Sequence, residues 1–143
     1  MVRAVAVVGP GDVESEEAVE VGRLLGARGV VVVTGGLGGV MACASRGAFE
    51  AGGLVVGVLP GLDRDAANEW VSVAIPTGLG ELRNGLVVRA ADALVAVGGG
   101  YGTLSEIALA LKAGKRVVGI GSWEIDGVEA VGDAAAAVER VLA

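Results

Sequence analysis

Histidine is absent from this chain of 143 residues, cysteine occurs once, and aromatic side chains make up only 3%. Each scarcity removes a class of chemistry. Without histidine there is no Ser-His-Asp triad, no Cys-His pair and no histidine-based metal site, and no metal site is expected. Acid–base work falls to carboxylates, to Tyr101, or to the two lysines, Lys112 and Lys115. The lysines flank Gly114 at the end of an expected helix, where cations complement the helix dipole and meet solvent. That is a poor setting for the desolvated amine of a Schiff-base enzyme. Cys43 has no partner for an internal disulfide, which agrees with a reducing compartment. Inside an apolar helix it reads as a small core residue.

Long apolar runs are missing too. None reaches the roughly 18 residues of a membrane span, and Met1 leads straight into a strand without a charged-then-apolar leader. A cytoplasmic protein with no membrane partner is therefore expected. Basic residues are outnumbered, 11 Lys and Arg against 17 Asp and Glu, for a formal charge of −6. They are scattered, whereas a nucleic-acid binder gathers them on one face, so nucleic acid is not an expected partner. A small phosphorylated ligand stays open, because helix N-termini and one arginine act locally.

What is abundant is small and apolar: 53% hydrophobic residues and 26 glycines, a composition suited to close helix–sheet packing. The pattern alternates strand and helix. Strands are expected at Val2–Val8, Val30–Val33, Leu54–Leu59, Val71–Ile75, Ala93–Val97 and Arg116–Ile120. Helices are expected from Glu14 to Arg28, Val40 to Ala51, Gly80 to Ala91, Thr103 to Ala113, and Asp133 to Leu142, the last capped by Asp133. Pro60 to Glu69, polar and irregular, reads as a mobile flap, and Asp126-Gly127 as a turn. This order predicts a single α/β domain over residues 1–143, a Rossmann-like doubly wound parallel sheet with helices on both faces.

Three glycine-bearing turns follow strands: Gly9-Pro10-Gly11, Thr34 to Gly39, and Gly98 to Gly100. Where such a turn enters a helix, free amides and the positive end of the dipole point at one spot, and glycine lets a phosphate come close. The expected phosphate contacts are Gly9, Gly35, Gly36, Gly38, Gly39, Gly99, Gly100, Tyr101, Gly102 and Thr103. No turn gives the GxGxxG fingerprint with a downstream ribose carboxylate, which argues against NAD. Arg83 and Glu106 bracket the last hinge, and the crossover can bring them to one edge of the sheet. Plainer readings compete. Thr103-x-x-Glu106 has the spacing of a capping box, and Arg83 can be a solvated helix residue. Arg89 points away from Arg83 and reads as a surface residue. Trp70 and Trp123 fit either a stacked ligand ring or a subunit contact.

The segment GGGYGTLSE (Gly98–Glu106) resembles the PGGxGTxxE signature of the LOG-type proteins, a family once taken for lysine decarboxylases. TGGLGGVMACASRGAFEAGG (Thr34–Gly53) resembles that family's GGGxxGLM loop and helix, and Arg83-Asn84 fall where it carries the arginine of its catalytic pair. IPTGLGELRN followed by VGGGYGTLSE is most similar to the branch containing the molybdenum-cofactor carrier proteins. The chain departs in two places: Gly98 stands for the family's Pro, and Asn84 for its usual Lys.

The resemblance implies one of two functions. One is a binding protein or carrier for a nucleotide or a molybdopterin-type ligand, with Asn84 and Arg83 among the contacts and no cofactor required for activity. The other is a phosphoribohydrolase cleaving nucleoside 5′-monophosphates, with Arg83 and Glu106 as the catalytic residues. The two departures favour the first. A structural oligomer that binds only adventitious anions is the third reading. A mean hydropathy of +0.68 leaves more apolar surface than one small domain hides. A homo-oligomer, dimer or tetramer, is expected, with the helices at Val40–Ala51 and Gly80–Ala91 as contacts.

Overall fold

Alternate strand positions sort apolar side chains onto two faces in the computed structural model, which describes residues 1–143. Seven strands form one parallel sheet: β1 (Ala4–Val8), β2 (Val31–Thr34), β3 (Val55–Leu59), β4 (Val73–Pro76), β5 (Ala93–Val97), β6 (Arg116–Ile120) and β7 (Val128–Val131). The helices are α1 (Glu16–Ala27), α2 (Val40–Glu50), α3 (Asn84–Ala90), α4 (Tyr101–Lys112) and α5 (Ala134–Leu142). Val5 and Val7, with Val32, Val95 and Val118, pack against α1, α2 and α5. Ala6 and Val8, with Val33, Leu94 and Val117, pack against α3 and α4. A sheet buried on both faces explains why the strands read as continuous apolar runs.

The strand order is β4-β3-β2-β1-β5-β6-β7. The chain builds outward from β1 through β4, then crosses back to lay β5, β6 and β7 on the other side. Between β1 and β5 the winding reverses, and helices leave their carboxyl ends toward opposite faces. A crevice opens there, the place where doubly wound sheets bind ligands.

Three expectations change. The segment before the last helix holds a seventh strand, β7, where only a turn was expected. Its four residues, VEAV, sit at the sheet edge with Ala130 exposed, so they carry little apolar signal. Pro60 to Glu69, expected to be irregular, contains a short 3₁₀ turn and is bonded to the loop after β2 through Asn68. Asp63 caps a short 3₁₀ turn at Arg64–Ala66, and the Asn68 side-chain amide donates to Gly36 O (3.3 Å) and Leu37 O (2.9 Å). The helix expected from Gly80 is a 3₁₀ turn, Gly80–Arg83, running into α3.

Helices α1 and α2 touch backbone to backbone. A Cβ added at Gly22 would lie 2.0 Å from Ala44 O, and one at Gly47 would lie 2.0 Å from Val19 O. Both glycines are mid-helix, where propensity alone favours alanine by about 1 kcal/mol. Contact with backbone that cannot yield reverses the sign. Gly47→Ala is predicted to destabilise the protein by about 1–3 kcal/mol, read as a lower urea midpoint at unchanged slope. A raised midpoint would mean that the helices separate freely.

Candidate functional site

Three of the helices start without a side-chain cap: α3 runs on from the 3₁₀ turn, and α2 and α4 start at the crevice. α2 follows Gly39 (φ 61°) and α4 follows Gly100 (φ 95°), and neither glycine supplies a capping oxygen. By contrast Ser15 caps α1 and Asp133 caps α5 through their side chains. The first-turn amides of α4, those of Tyr101, Gly102 and Thr103, are thus left to whatever lies in front of them. At α2 the Val40 amide is already taken by Pro10 O at 3.1 Å, so α4 offers the better anion site. Because α4 begins at Tyr101, Thr103 is its third residue and does not cap it. The capping-box reading of Thr103 and Glu106 is therefore wrong, and Glu106 faces inward for another reason.

Arg83 ends the 3₁₀ turn and is buried, only 9% exposed, so it is no solvated helix residue. Its Nε donates to Val58 O at 2.9 Å and its Nη2 to Gly35 O at 3.4 Å, while Nη1 donates to Asn84 Oδ1. Asn84 Nδ2 in turn donates to Ser105 Oγ at 3.2 Å, which ties the arginine to α4. Gly35 is required by this arrangement, since a Cβ there would lie 2.5 Å from Arg83 Nη2. Burial lowers the guanidinium from its ordinary value, and the nearby Glu106 charge opposes that shift.

Glu106 is 7% exposed. None of the five ion pairs in the molecule includes it or Arg83. Burial raises its carboxyl from 4.5 to about 8, against the opposing pull of Arg83. At neutral pH the site therefore presents a cation, free amides and a largely uncharged carboxylic acid. An anion entering it meets donors and no fixed negative charge.

These groups surround one cleft of about 180 Å3. Of the residues expected from sequence, Gly9, Gly35, Arg83, Asn84, Gly100, Gly102, Thr103 and Glu106 line it. Gly36, Gly38, Gly39, Gly99 and Tyr101 do not. The Gly36 amide is occupied by Thr34 Oγ1 at 3.0 Å, and Gly39 is glycine because a Cβ would lie 2.4 Å from Pro10 O. Tyr101 stands exposed and stacks on Trp123, with ring centroids 6.1 Å apart. Trp70 packs against Phe49 instead. The cleft also includes Val8, Pro10, Gly11 and Met41, which the sequence reading did not single out. A turn of the Gly-Pro-Gly type after β1 was the available signal for Pro10 and Gly11, and the Met of the GGGxxGLM-like segment was the signal for Met41.

Residues 2–141 match the SLOG cluster4 family. Among solved structures, the chain is similar to the molybdenum cofactor binding protein from Rippkaea orientalis, at 34% identity and a TM-score of 0.90, covering 97% of this chain and 94% of that one. It is similar also to the molybdenum cofactor carrier protein of Chlamydomonas reinhardtii, at 37% identity and a TM-score of 0.86, covering 97% and 95%. A probable cytokinin riboside 5′-monophosphate phosphoribohydrolase of Oryza sativa subsp. japonica is 39% identical over 93 residues, 63% of this chain. The match spans only 38% of that curated relative's length.

The raised carboxyl makes a prediction about stability. Between pH 4.5 and about 8 folded Glu106 keeps a proton that the unfolded chain has lost, so the folded state binds more protons and stability falls as pH rises through this window. Glu106→Gln removes the penalty. The variant should match the wild type near pH 4.5 and exceed it by a few kcal/mol at pH 8 and above. Denaturant melts across this range check it. A pH-independent difference would place Glu106 in a solvated setting.

Proposed function

The chain belongs to the SLOG cluster4 family, and on that premise we propose that it is a binding protein or carrier for a nucleotide or phosphorylated cofactor, with the phosphate held at the Arg83 cleft. One observation carries the proposal. The uncapped start of α4 and the buried cation of Arg83 converge on a cleft whose only carboxyl, Glu106, is largely neutral at pH 7. Arg83 supplies charge, the amides of Gly102 and Thr103 supply direction, and Glu106 supplies a hydrogen-bond donor. The two molybdenum-cofactor proteins support a pterin-type ligand. No three His, Cys, Asp or Glu side chains are grouped to hold a metal ion, so these residues suit the ligand's phosphate, and a metal would arrive on the ligand.

Phosphoribohydrolase activity is the second reading, favoured by the presence of Arg83 and Glu106 in one cleft and by the rice relative. Breaking an N-glycosidic bond builds positive charge on the ribose, which an ionised carboxylate stabilises. Glu106 at about 8 is a weak candidate for that, and a bound phosphate pushes it further toward the neutral form. Binding without turnover is the better fit.

A homo-oligomer is part of the proposal. Leu82, Tyr101 and Leu109 stand exposed around a groove between α3 and α4, which supports a contact on that face. α2 is a weaker candidate because it is locked against α1.

Calorimetry with AMP and inorganic phosphate, alongside mass spectrometry of co-purifying compounds, tests the function. Wild type should bind both, and Gly100→Val, which strains a backbone at φ 95°, should bind at least about tenfold more weakly while staying folded. No base should be released. Base release lost in Glu106→Gln at unchanged affinity would establish the hydrolase instead, and failure to bind any phosphorylated compound would leave only a structural oligomer. Light scattering should show a dimer or larger, reduced to monomer by Leu82→Glu with Leu109→Glu. A monomeric wild type at micromolar concentration refutes the oligomer.

A further inference from the structure

Met41 is the one sulfur-bearing side chain in the lining of the Arg83 cleft. It stands in the first turn of α2, half-buried, with its thioether seated between two glycine turns. A Cβ at Gly35 would lie 2.7 Å from Met41 Sδ, and one at Gly11 would lie 3.3 Å from Met41 Cε. The missing side chains at these two glycines give the sulfur its place beside the guanidinium.

An arginine carries five N–H donors, and the three nitrogens of Arg83 are held unequally. Nε donates to Val58 O at 2.9 Å, and Nη1 donates to Asn84 Oδ1. Nη2 has only the long bond to Gly35 O at 3.4 Å and a contact of 4.0 Å with Met41 Sδ. A thioether sulfur is a weak acceptor, so Nη2 is the nitrogen at which a phosphate oxygen has least to displace.

Oxidation reverses that. A hydroperoxide takes a thioether to a sulfoxide, a polar group. The sulfur lone pair attacks the terminal peroxide oxygen, and the S–O bond forms as the O–O bond breaks. The departing oxygen takes up the proton of the transferred hydroxyl and leaves as water or an alcohol. Sulfur is oxidised by two electrons and the peroxide is reduced by two. With Sδ 4.0 Å from Nη2, an oxygen added on the guanidinium side falls at ordinary N–H···O distance. The bond is then charge-assisted, and it fills part of a cleft of only about 180 Å3.

We infer that Met41 is an oxidation site that closes the phosphate cleft, its sulfoxide taking Arg83 Nη2 in place of the ligand. The inference rests on the phosphate being held at Arg83 and adds a means of regulating that site.

Calorimetry with AMP and inorganic phosphate, before and after mild hydrogen peroxide treatment, tests it. Peptide mass spectrometry follows oxidation at Met1 and Met41, the two methionines of the chain, with the fully exposed Met1 as the internal control. The oxidised protein should bind both ligands at least about tenfold more weakly while keeping a cooperative urea transition. Methionine sulfoxide reductases acting on both epimers should restore the affinity. Cys43, the other sulfur on α2, is half-buried, and the loss should be the same in Cys43→Ala. In Met41→Leu, peroxide should leave that variant's own affinity where it was. Unchanged affinity with Met41 oxidised overturns the inference, as does a Met41 that stays reduced while Met1 is oxidised. A loss that persists in Met41→Leu, or that comes with loss of the urea transition, overturns it too. If the untreated protein binds and the oxidised protein binds equally well, this inference falls alone. If the untreated protein binds neither ligand, the reading of the Arg83 cleft falls and takes this one with it.

Discussion

Arg83 holds a positive charge out of bulk water, and the carboxyl edge of the sheet is arranged around that. A buried charge costs several kcal/mol unless its hydrogen bonds are met. Here carbonyl oxygens of Val58 and Gly35 and the side-chain oxygen of Asn84 meet them. A direct carboxylate partner would cancel the charge, whereas neutral acceptors leave it available to a ligand. The requirement reaches into the backbone. Gly35 has no side chain because the guanidinium fills its place, and the 3₁₀ turn must end at residue 83 for the side chain to reach back beneath β2 and β3.

Glu106 completes the arrangement by staying largely neutral. Two buried groups of opposite sign in one cleft attract, but the Glu106 burial outweighs the attraction. The site is thus tuned to be electropositive inside a protein whose total formal charge is −6. This tuning has a cost in folding free energy, which is common where a site is shaped for a ligand absent from the folded chain alone. The uncapped start of α4 has the same character, since the side-chain caps used at α1 and α5 are absent where α4 faces the cleft.

Much of this was legible in the sequence because its signals are local. Val-rich runs between glycine turns located six of the seven strands, and the turns themselves located the carboxyl edge. The placement of Arg83 beside Gly35 was not legible, since it depends on a crossover that joins positions 48 residues apart. Capping-box spacing at Thr103 misled because Gly98 and Gly100 let the helix begin two residues sooner. β7 escaped because Glu129 and Ala130 give an edge strand no apolar run. Asn68 escaped because a polar residue in a polar stretch is silent until its carbonyl partners are known. The family resemblance located Arg83 and Glu106 as a pair, but the neutral state of Glu106 follows only from its burial.

The strand order also governs how the chain can come together. β1 is made first and lies at the centre of the sheet, yet one of its two neighbours, β5, is synthesised only after β2, β3 and β4. The Asp92 side chain closes that seam by accepting from the amides of Arg3 (2.9 Å) and Ala4 (3.0 Å), a separation of 88 residues in the latter case. Until residues 92–97 leave the ribosome, the half-sheet β1–β4 presents a bare edge of Ala4–Val8, with every backbone donor and acceptor on that side unpaired. Such an edge is a template for pairing with another nascent chain. The Arg83 cleft straddles this same seam, so the candidate site is also at the last junction of the sheet's centre to form.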